Sequence, residues 1–561
     1  MSIRKCQSRH MSDVDVLIVG AGPTGLTLAC DLLRRGVACR VVDRASGPAQ
    51  GSRGFTLKPR TMEVFHDLGV AGRFLEWGEV DNRTRLHLGQ PLLFDLRVPA
   101  DKPTARRPYP NSVGLPQWRT EAILRDRLAE LGGAVEFGVE ATAFQADDDG
   151  VTVFLRHTDP GQTAGPAAEA PTETVRARYL VGADGGRSFV RRRLGLPFRG
   201  TTQEEARAIL ADLPVRGLAE DDAVHLWLGD LGLLVLRPLP HADVWQVVAS
   251  LHRDAEGNWP EASLATLRAA VVERTGREDI ELGEPAWLSV WRYNLRMVDR
   301  FRVGRVVLAG DAAHVHSPFG AFGMNTGIQD AYNLGWKLAM VLRGVAEETL
   351  LDTYEAERLP VARAVLAESD RQFSSATPPA PLRPLLRFVV KPYFARQRRR
   401  HREDRPQYRD SSLSMHLGGG RARLRAGDVA PGGVGRVPGR RRPVSLLDLF
   451  RGAHFTVLAF GSRAVEAARR ALRGHEDLFH LHGVTSTVEG AVAGVETVAD
   501  TSGGIRRAYG AREGSVVLVR PDGHIGLIAH EDQESALREY LRRLRLRPAD
   551  TSCQSKPRPS R

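Results

Sequence analysis

The run Val14–Val19 is short, apolar and rich in Val, Leu and Ile, the pattern of a buried parallel strand, and it leads directly into Gly20-Ala21-Gly22-Pro23-Thr24-Gly25. Gly20 permits a tight turn, Gly22 lets the backbone approach a pyrophosphate, and Gly25 lets the next helix pack on the strand. Leu26, Ala29, Leu32 and Leu33 then recur at helical spacing, so a helix N-terminus directs free N–H groups and its positive dipole end at phosphate. A second strand over Cys39 to Val42 ends at Asp43, 23 positions after Gly20, where an acid that hydrogen-bonds a ribose hydroxyl is expected; Arg44 beside it adds a phosphate contact. An ordinary glycine turn, or a signal anchor behind Arg4, Lys5 and Arg9, does not explain strand, glycines, helix, strand and acid in register. The pattern predicts a dinucleotide site without telling FAD from NAD.

Two later segments narrow the choice. Tyr179 to Ala183 reads as a strand running into Asp184-Gly185, which alone is only a common turn. Val303 to Ala309 reads as another strand, ending in Gly310-Asp311, so Asp311 falls at the carboxyl end of a strand, where open α/β sheets collect ligands and a carboxylate holds a ribityl hydroxyl. The loop Pro318 to Gly327, with Gly320, Gly323, Met324 and Asn325, precedes a helix pattern over Ile328 to Leu338 and can set backbone N–H groups against a flavin ring. His314 and His316 form an H-x-H pair without a third ligand at recognisable spacing, which favours local polar support over metal. In the helix, Tyr332 and Trp336 read as packing residues and Lys337 as a solvated or capping charge.

In order and spacing, the Gly20 to Gly25 start, Asp184-Gly185, Gly310-Asp311 and Asn325-Thr326-Gly327-Ile328-Gln329-Asp330-Ala331 make the chain resemble the class A flavoprotein aromatic hydroxylases, the para-hydroxybenzoate hydroxylase-like FAD monooxygenases, from Asp13 to about Arg358. Arg53 with Arg60-Thr61-Met62-Glu63, Gln117-Trp118-Arg119-Thr120-Glu121, and Tyr354-Glu355-Ala356-Glu357-Arg358 extend the likeness. One departure is that Ala321 and Phe322 interrupt glycines that many relatives have in sequence. The resemblance implies that Asp43 and Arg44 hold the adenosine side of FAD, Arg53 and Gln117 the diphosphate or ribityl, and Asp311 the ribityl near the ring. It also implies that Asp184 and Gly185 serve both FAD and the pyridine nucleotide.

With 561 residues and 42% hydrophobic content the chain is long enough for two or three domains. The expected architecture is α/β: a Rossmann-like FAD-binding domain in three pieces (12–85, 112–200 and 292–373), an inserted β-sheet substrate domain (86–111 and 201–291), and a C-terminal thioredoxin-like domain (425–548). A terminal extension (1–11), a linker or helical segment (374–424) and a basic tail (549–561) complete it. Strand patterns crowd Glu204 to Trp291, and Pro91 to Leu96 adds to that sheet, which in the family floors the substrate pocket. The C-terminal domain is expected to have strands at Phe455 to Phe460, Val516 to Arg520 and Ile525 to Ala529 and helices at Arg463 to Leu472 and Glu534 to Leu544. It lacks C-x-x-C, which predicts a structural or oligomerisation role, and Gly432 to Gly435 reads as a loop.

The net charge of +12 is spread, and the runs Arg398 to Arg400 and Arg440 to Arg442 read as solvated surface, so no nucleic-acid partner is expected. Four cysteines without clustering fit a reducing cytoplasm, and no stretch is apolar enough to span a bilayer. The resemblance implies an enzyme that uses FAD, NADPH (or NADH) and O2 to hydroxylate a phenolic or polycyclic aromatic substrate, of polyketide or antibiotic type, through a flavin C4a-hydroperoxide, acting as a monomer or homodimer. A simple phenol hydroxylase, a halogenase or reductase of the same fold, and a non-catalytic FAD-binding protein are the alternatives; the halogenase signature W-x-W-x-I-P does not occur.

Overall fold

Val14–Val19 is a strand buried along almost its whole length, because it runs parallel between Cys39–Asp43 on one side and Thr172–Gly182 on the other. The computed structural model describes residues 13–80, 82–158, 172–218, 222–317, 320–376, 405–418 and 423–547. The expected extension at 1–11, the run Arg398 to Arg400, the basic tail, Pro318 and most of the expected linker lie outside the described residues.

The chain divides into two compact units, one of Met1–Thr104, Pro108–Gly335 and Arg358–Arg405, the other of Ala105–Arg107, Trp336–Glu357 and Pro406–Arg561. The first holds the nucleotide-type sheet, ordered Arg302–Val303, Val306–Leu308, Thr172–Gly182, Val14–Val19, Cys39–Asp43, Val135–Phe137. The strand expected over Val303 to Ala309 is instead an antiparallel pair, Arg302–Val303 against Val306–Leu308, since Gly304 turns the chain between them at φ 57°. The three central strands point their carboxyl ends toward the same edge, bringing the turns at Gly20, Asp184 and Gly310 together.

The second sheet of this unit runs His314–Val315, Trp287–Met297, Arg199–Leu213, Trp245–Leu251, Gly232–Pro238, Ala223–Gly229, Asn82–Leu88, Leu92–Val98. Alternation splits its faces. Ile209, Ala211, Leu234, Leu236, Val247 and Ala249 pack on one side with Leu267, Ala270 and Val271 of the helix Leu264–Thr275. That helix was not anticipated; the Ser263 hydroxyl caps its start by accepting from Thr266 N–H, and Gly276 ends it in the left-handed region. The opposite face presents Leu210, Val235 and Val248 with Val224, Leu226 and Leu233.

In the second unit six strands are ordered Met415–Leu417, Ile525–Ala529, Val516–Val519, Phe455–Phe460, Phe479–Thr485, Glu496–Ala499. Parallel pairing of Phe455–Phe460 with Phe479–Thr485, followed by the antiparallel pair Val516–Val519 and Ile525–Ala529 and the helix Gln533–Arg543, is a thioredoxin-like arrangement. Three expectations need correction here. Met415–Leu417, assigned to the linker, is an edge strand of this sheet. Val434–Gly435, read as loop, pairs with Val444–Ser445. Lys337, read as a solvated or capping charge, is fully buried, because Glu357 lies 2.7 Å from its ammonium.

Candidate active site

Three turns carry the chemistry-bearing residues, and the fold fixes each from behind. Gly20 sits at φ 110°, and a Cβ there would fall 2.3 Å from the Ala183 carbonyl oxygen; one on Gly25 would fall 2.0 Å from the Gly20 carbonyl oxygen. A Cβ on Gly22 would meet nothing within 4 Å, and no side chain caps the helix Pro23–Arg34 that begins after it. The turn is thus packed tightly behind and open in front, with unpaired helix N–H groups at the opening, which suits a pyrophosphate. Thr24 wedges against the third turn: a Cβ on Gly310 or Gly327 would lie 2.5 Å or 2.3 Å from its hydroxyl oxygen. Asp43 accepts from Ala21 N–H at 2.8 Å and Ala45 N–H at 2.9 Å, setting its carboxylate beside the glycine turn.

In the second turn Asp184 Oδ2 accepts from the N–H groups of Phe189 at 2.6 Å and Val190 at 3.2 Å, starting the helix Phe189–Arg193, while its Oδ1 is buried without a donor. The third turn, Gly310–Ala312, is held by Asp330, whose Oδ2 accepts from Gly310 N–H at 3.1 Å and pairs with His314 Nε2 at 2.6 Å. Arg358 Nε donates to Asp330 Oδ1 at 2.6 Å, and all three side chains are fully buried. Burial alone would raise the Asp330 carboxyl; Arg358 and then His314 hold it down to about 2. His314 Nδ1 meets His316 Nε2 at 2.8 Å, so the H-x-H pair is tied through Asp330 to the turn that presents Asp311. Asp311 is exposed to a cavity, and desolvation by its surroundings raises its carboxyl pKa against the attraction of His314 and Arg53.

The helix expected from Ile328 begins at Gly323, so Asn325, Thr326 and Gly327 belong to it rather than to the preceding loop. Asn325 Oδ1 accepts from Lys58 N–H at 2.8 Å and the Thr61 hydroxyl at 2.6 Å, and its Nδ2 donates to the carbonyls of Thr56 and Ala321, both at 2.8 Å. That side chain is fully engaged in clamping the loop, which leaves the first-turn N–H groups to face a ligand. Gln117 Oε1 accepts from Gly54 N–H at 3.0 Å and its Nε2 donates to Glu121 Oε1 at 2.9 Å. Burial pushes the Glu121 carboxyl up to about 7 against that hydrogen bond. Arg53 is exposed beside them, its guanidinium 5.8 Å from the Trp287 ring centre.

A cavity of about 1760 Å³ lies between these turns and the second sheet. Arg44, Arg53, Gln117, Asp184, Gly185 and Asp311 line it, as do Gly320, Gly323, Met324 and Asn325 at the helix start. Gly20, Gly22, Pro23, Thr24, Gly25, Asp43 and Gly310 build the turns and are not on its wall, and Pro318 lies outside the described residues. Opposite stands the apolar floor of Leu210, Leu226, Leu233, Val235 and Val248, edged by Trp287 and Trp291. An open glycine turn, the uncapped start of the helix Pro23–Arg34 and an orphaned Asp184 oxygen together fit FAD.

Residues 13–369 match the FAD binding domain family, and residues 435–544 match the HcaD C-terminal domain family. A flavin-dependent monooxygenase of Mycobacteroides abscessus is 40% identical over 541 residues, covering 94% of this chain and 99% of that protein. The chain belongs to the flavin-dependent monooxygenases. The monooxygenase is also similar to the 6-methylpretetramide 4-monooxygenase of Streptomyces rimosus, at 37% identity over 96% of this chain and 94% of that one. Among solved structures, aklavinone-11 hydroxylase in complex with FAD and aklavinone aligns at a TM-score of 0.78 and 28% identity, covering 95% of this chain and 99% of that one. The flavin-dependent monooxygenase PieE, with FAD and substrate, gives a TM-score of 0.78 at 26% identity over 95% and 100%.

Several residues of this FAD monooxygenase escaped the sequence reading. Asp330 joins His314 to Arg358 only after folding, and although Asp330 and Arg358 stand in segments that carry the resemblance, nothing local marks them as partners. Arg237 lines the cavity on the same strand face as Leu233 and Val235. A signal existed there, since a lone arginine closes the strand Gly232–Pro238, but that strand is apolar at both parities, which hides which face the arginine occupies.

Proposed function

We propose that this monooxygenase hydroxylates an electron-rich polycyclic aromatic compound of polyketide or antibiotic type, drawing electrons from NAD(P)H and oxygen from O2. The observation that carries this reading is the flat apolar floor of Leu210, Leu226, Leu233, Val235 and Val248 facing the Asp311 turn across one cavity. Relatives named for acting on 6-methylpretetramide and aklavinone support it.

When bound, FAD supplies the reductive activation of O2 and delivery of one oxygen atom to a ring carbon. In this reading the glycine turn and the helix start at Pro23 hold the pyrophosphate, Asp43 and Arg44 the adenosine side, and Arg53 and Gln117 the ribityl or diphosphate. Asp311 accepts from ribityl hydroxyls, and the N–H groups at Gly323, Met324 and Asn325 face the ring. Asp184 and Gly185 border both FAD and the incoming nicotinamide. The apolar floor orients a planar substrate and excludes water, which would otherwise divert activated oxygen to hydrogen peroxide. Incubation of the FAD-loaded protein with NADPH, ¹⁸O2 and a tetracyclic phenolic polyketide is expected to give a product carrying one ¹⁸O atom. NADPH consumption yielding only hydrogen peroxide, with every polycyclic and simple phenol offered, would contradict the reading.

A further inference from the structure

Arg237 is a half-buried cation with no carboxylate within ion-pair distance among the described residues. It lies on the cavity wall at the end of the apolar floor, following Leu233 and Val235 on the same face of its strand. Its Nη1 donates to Gln246 Oε1 at 3.1 Å and its guanidinium lies over the Phe55 ring, 4.5 Å from the ring centre. Among the described residues no ion pair within 4.0 Å involves it, and its Nε and Nη2 find no acceptor there.

Its surroundings aim these donors. Gln246 Nε2 donates to the Ser52 carbonyl, and Ser52 N–H donates to Asp212 Oδ2 at 2.9 Å. Arg237 and Asp212 both stand opposite Gln246, on the strands flanking it, so the nearest carboxylate of this chain of contacts is two strand spacings, roughly 10 Å, away. The amide thus engages Nη1 and leaves Nε and Nη2 of this cavity-lining residue as donors for a ligand. Burial lowers the Arg237 pKa to about 10, which still leaves it charged at neutral pH. A partly desolvated cation without a counter-ion is unfavourable, and such a site is stabilised by a ligand that brings the missing charge to the cavity it lines.

We propose that Arg237 is a substrate-binding residue that takes an acidic oxygen of the aromatic substrate, an enolate or phenolate conjugated with the ring resting on the apolar floor. This inference rests on the hydroxylase reading above. Pairing there selects the deprotonated ring system and fixes its rotation on the floor; the electron-rich anion is also the form that best accepts an electrophilic oxygen atom. Bidentate geometry favours arginine over lysine.

The test is isothermal titration calorimetry of the FAD-loaded protein at neutral pH with 2-hydroxy-1,4-naphthoquinone, an enolate, and with its neutral 2-methoxy ether. The wild type is expected to bind the enolate at least tenfold more tightly than the ether, Arg237→Met to bind the two alike, and Arg237→Lys to keep part of the preference. Equal binding or no enolate binding by the wild type, or an undiminished preference in Arg237→Met, would overturn the proposal. So would loss of FAD from Arg237→Met, which would assign the guanidinium to the flavin instead. Failure of the hydroxylase reading looks different: the wild type would then hold no FAD or oxidise no NADPH.

Discussion

At the residue scale, the site depends on side chains that stand behind the cavity wall. Glu121 is buried, and its carboxylate orients the Gln117 amide so that Gln117 Oε1 meets Gly54 N–H. Its pKa stands at about 7, raised from 4.5 mainly by desolvation. The folded state therefore binds a proton that the unfolded state has released between about pH 4.5 and pH 7, so stability declines as pH rises through that window and stays reduced above it. Glu121→Gln removes this dependence while retaining an acceptor for Gln117. Thermal melts of the FAD-loaded variant are expected to match the wild type near pH 5 and exceed it by a few degrees at pH 8. A constant offset across that range would contradict the assignment.

At the element scale, the glycine turn separates two roles that the sequence motif presents as one. Gly22 has open space where a Cβ would stand and an extended φ of −72°, whereas Gly25 presses on the Gly20 carbonyl oxygen. Gly22→Ala is expected to fold with unchanged apoprotein melting but to bind FAD at least tenfold more weakly, read by titration of the apoprotein with FAD. Gly25→Ala is expected to lose soluble, folded protein. Equal FAD affinity in Gly22→Ala and the wild type would remove the pyrophosphate from this turn. Strand, glycine turn, helix and acid were legible because local steric and periodic rules dictate each of them. The Val303 to Ala309 segment was misread as one strand because its apolar residues mask the Gly304 turn, and the helix start at Gly323 was missed because Asn325 works as a clamp through contacts 264 to 269 positions away. The Lys337 error has the same origin, since its buried partner Glu357 is an ordinary exposed-looking acid in sequence.

At the scale of the whole molecule, the thioredoxin-like unit has a fully buried charge network. Arg520 donates to both Glu357 oxygens at 2.6 Å and 2.8 Å and to Asp522 Oδ2 at 2.5 Å, Lys337 pairs with Glu357, and Trp336 Nε1 donates to Asp522 at 3.2 Å. Removing the central cation leaves two buried carboxylates with Lys337, on Glu357, as their one lysine or arginine partner among the described residues, while Asp522 keeps the N–H groups of Trp336 and His524; Arg520→Met is expected to cost about 3–5 kcal/mol. Lys337→Met leaves Glu357 with Arg520 and is expected to cost less than half as much. Urea unfolding followed by tryptophan fluorescence compares the two, and a larger loss in Lys337→Met would misplace the centre of the network. Among the described residues no helix is long and apolar enough to cross a membrane.

Anaerobic stopped-flow absorbance of the purified, FAD-loaded protein after mixing with NADPH, alone and with polycyclic phenolic polyketides or simple phenols, tests the central claim most directly. Flavin bleaching that accelerates with a polycyclic phenol is the result this account predicts. Bleaching indifferent to every aromatic compound, or a protein that retains no FAD, would contradict it.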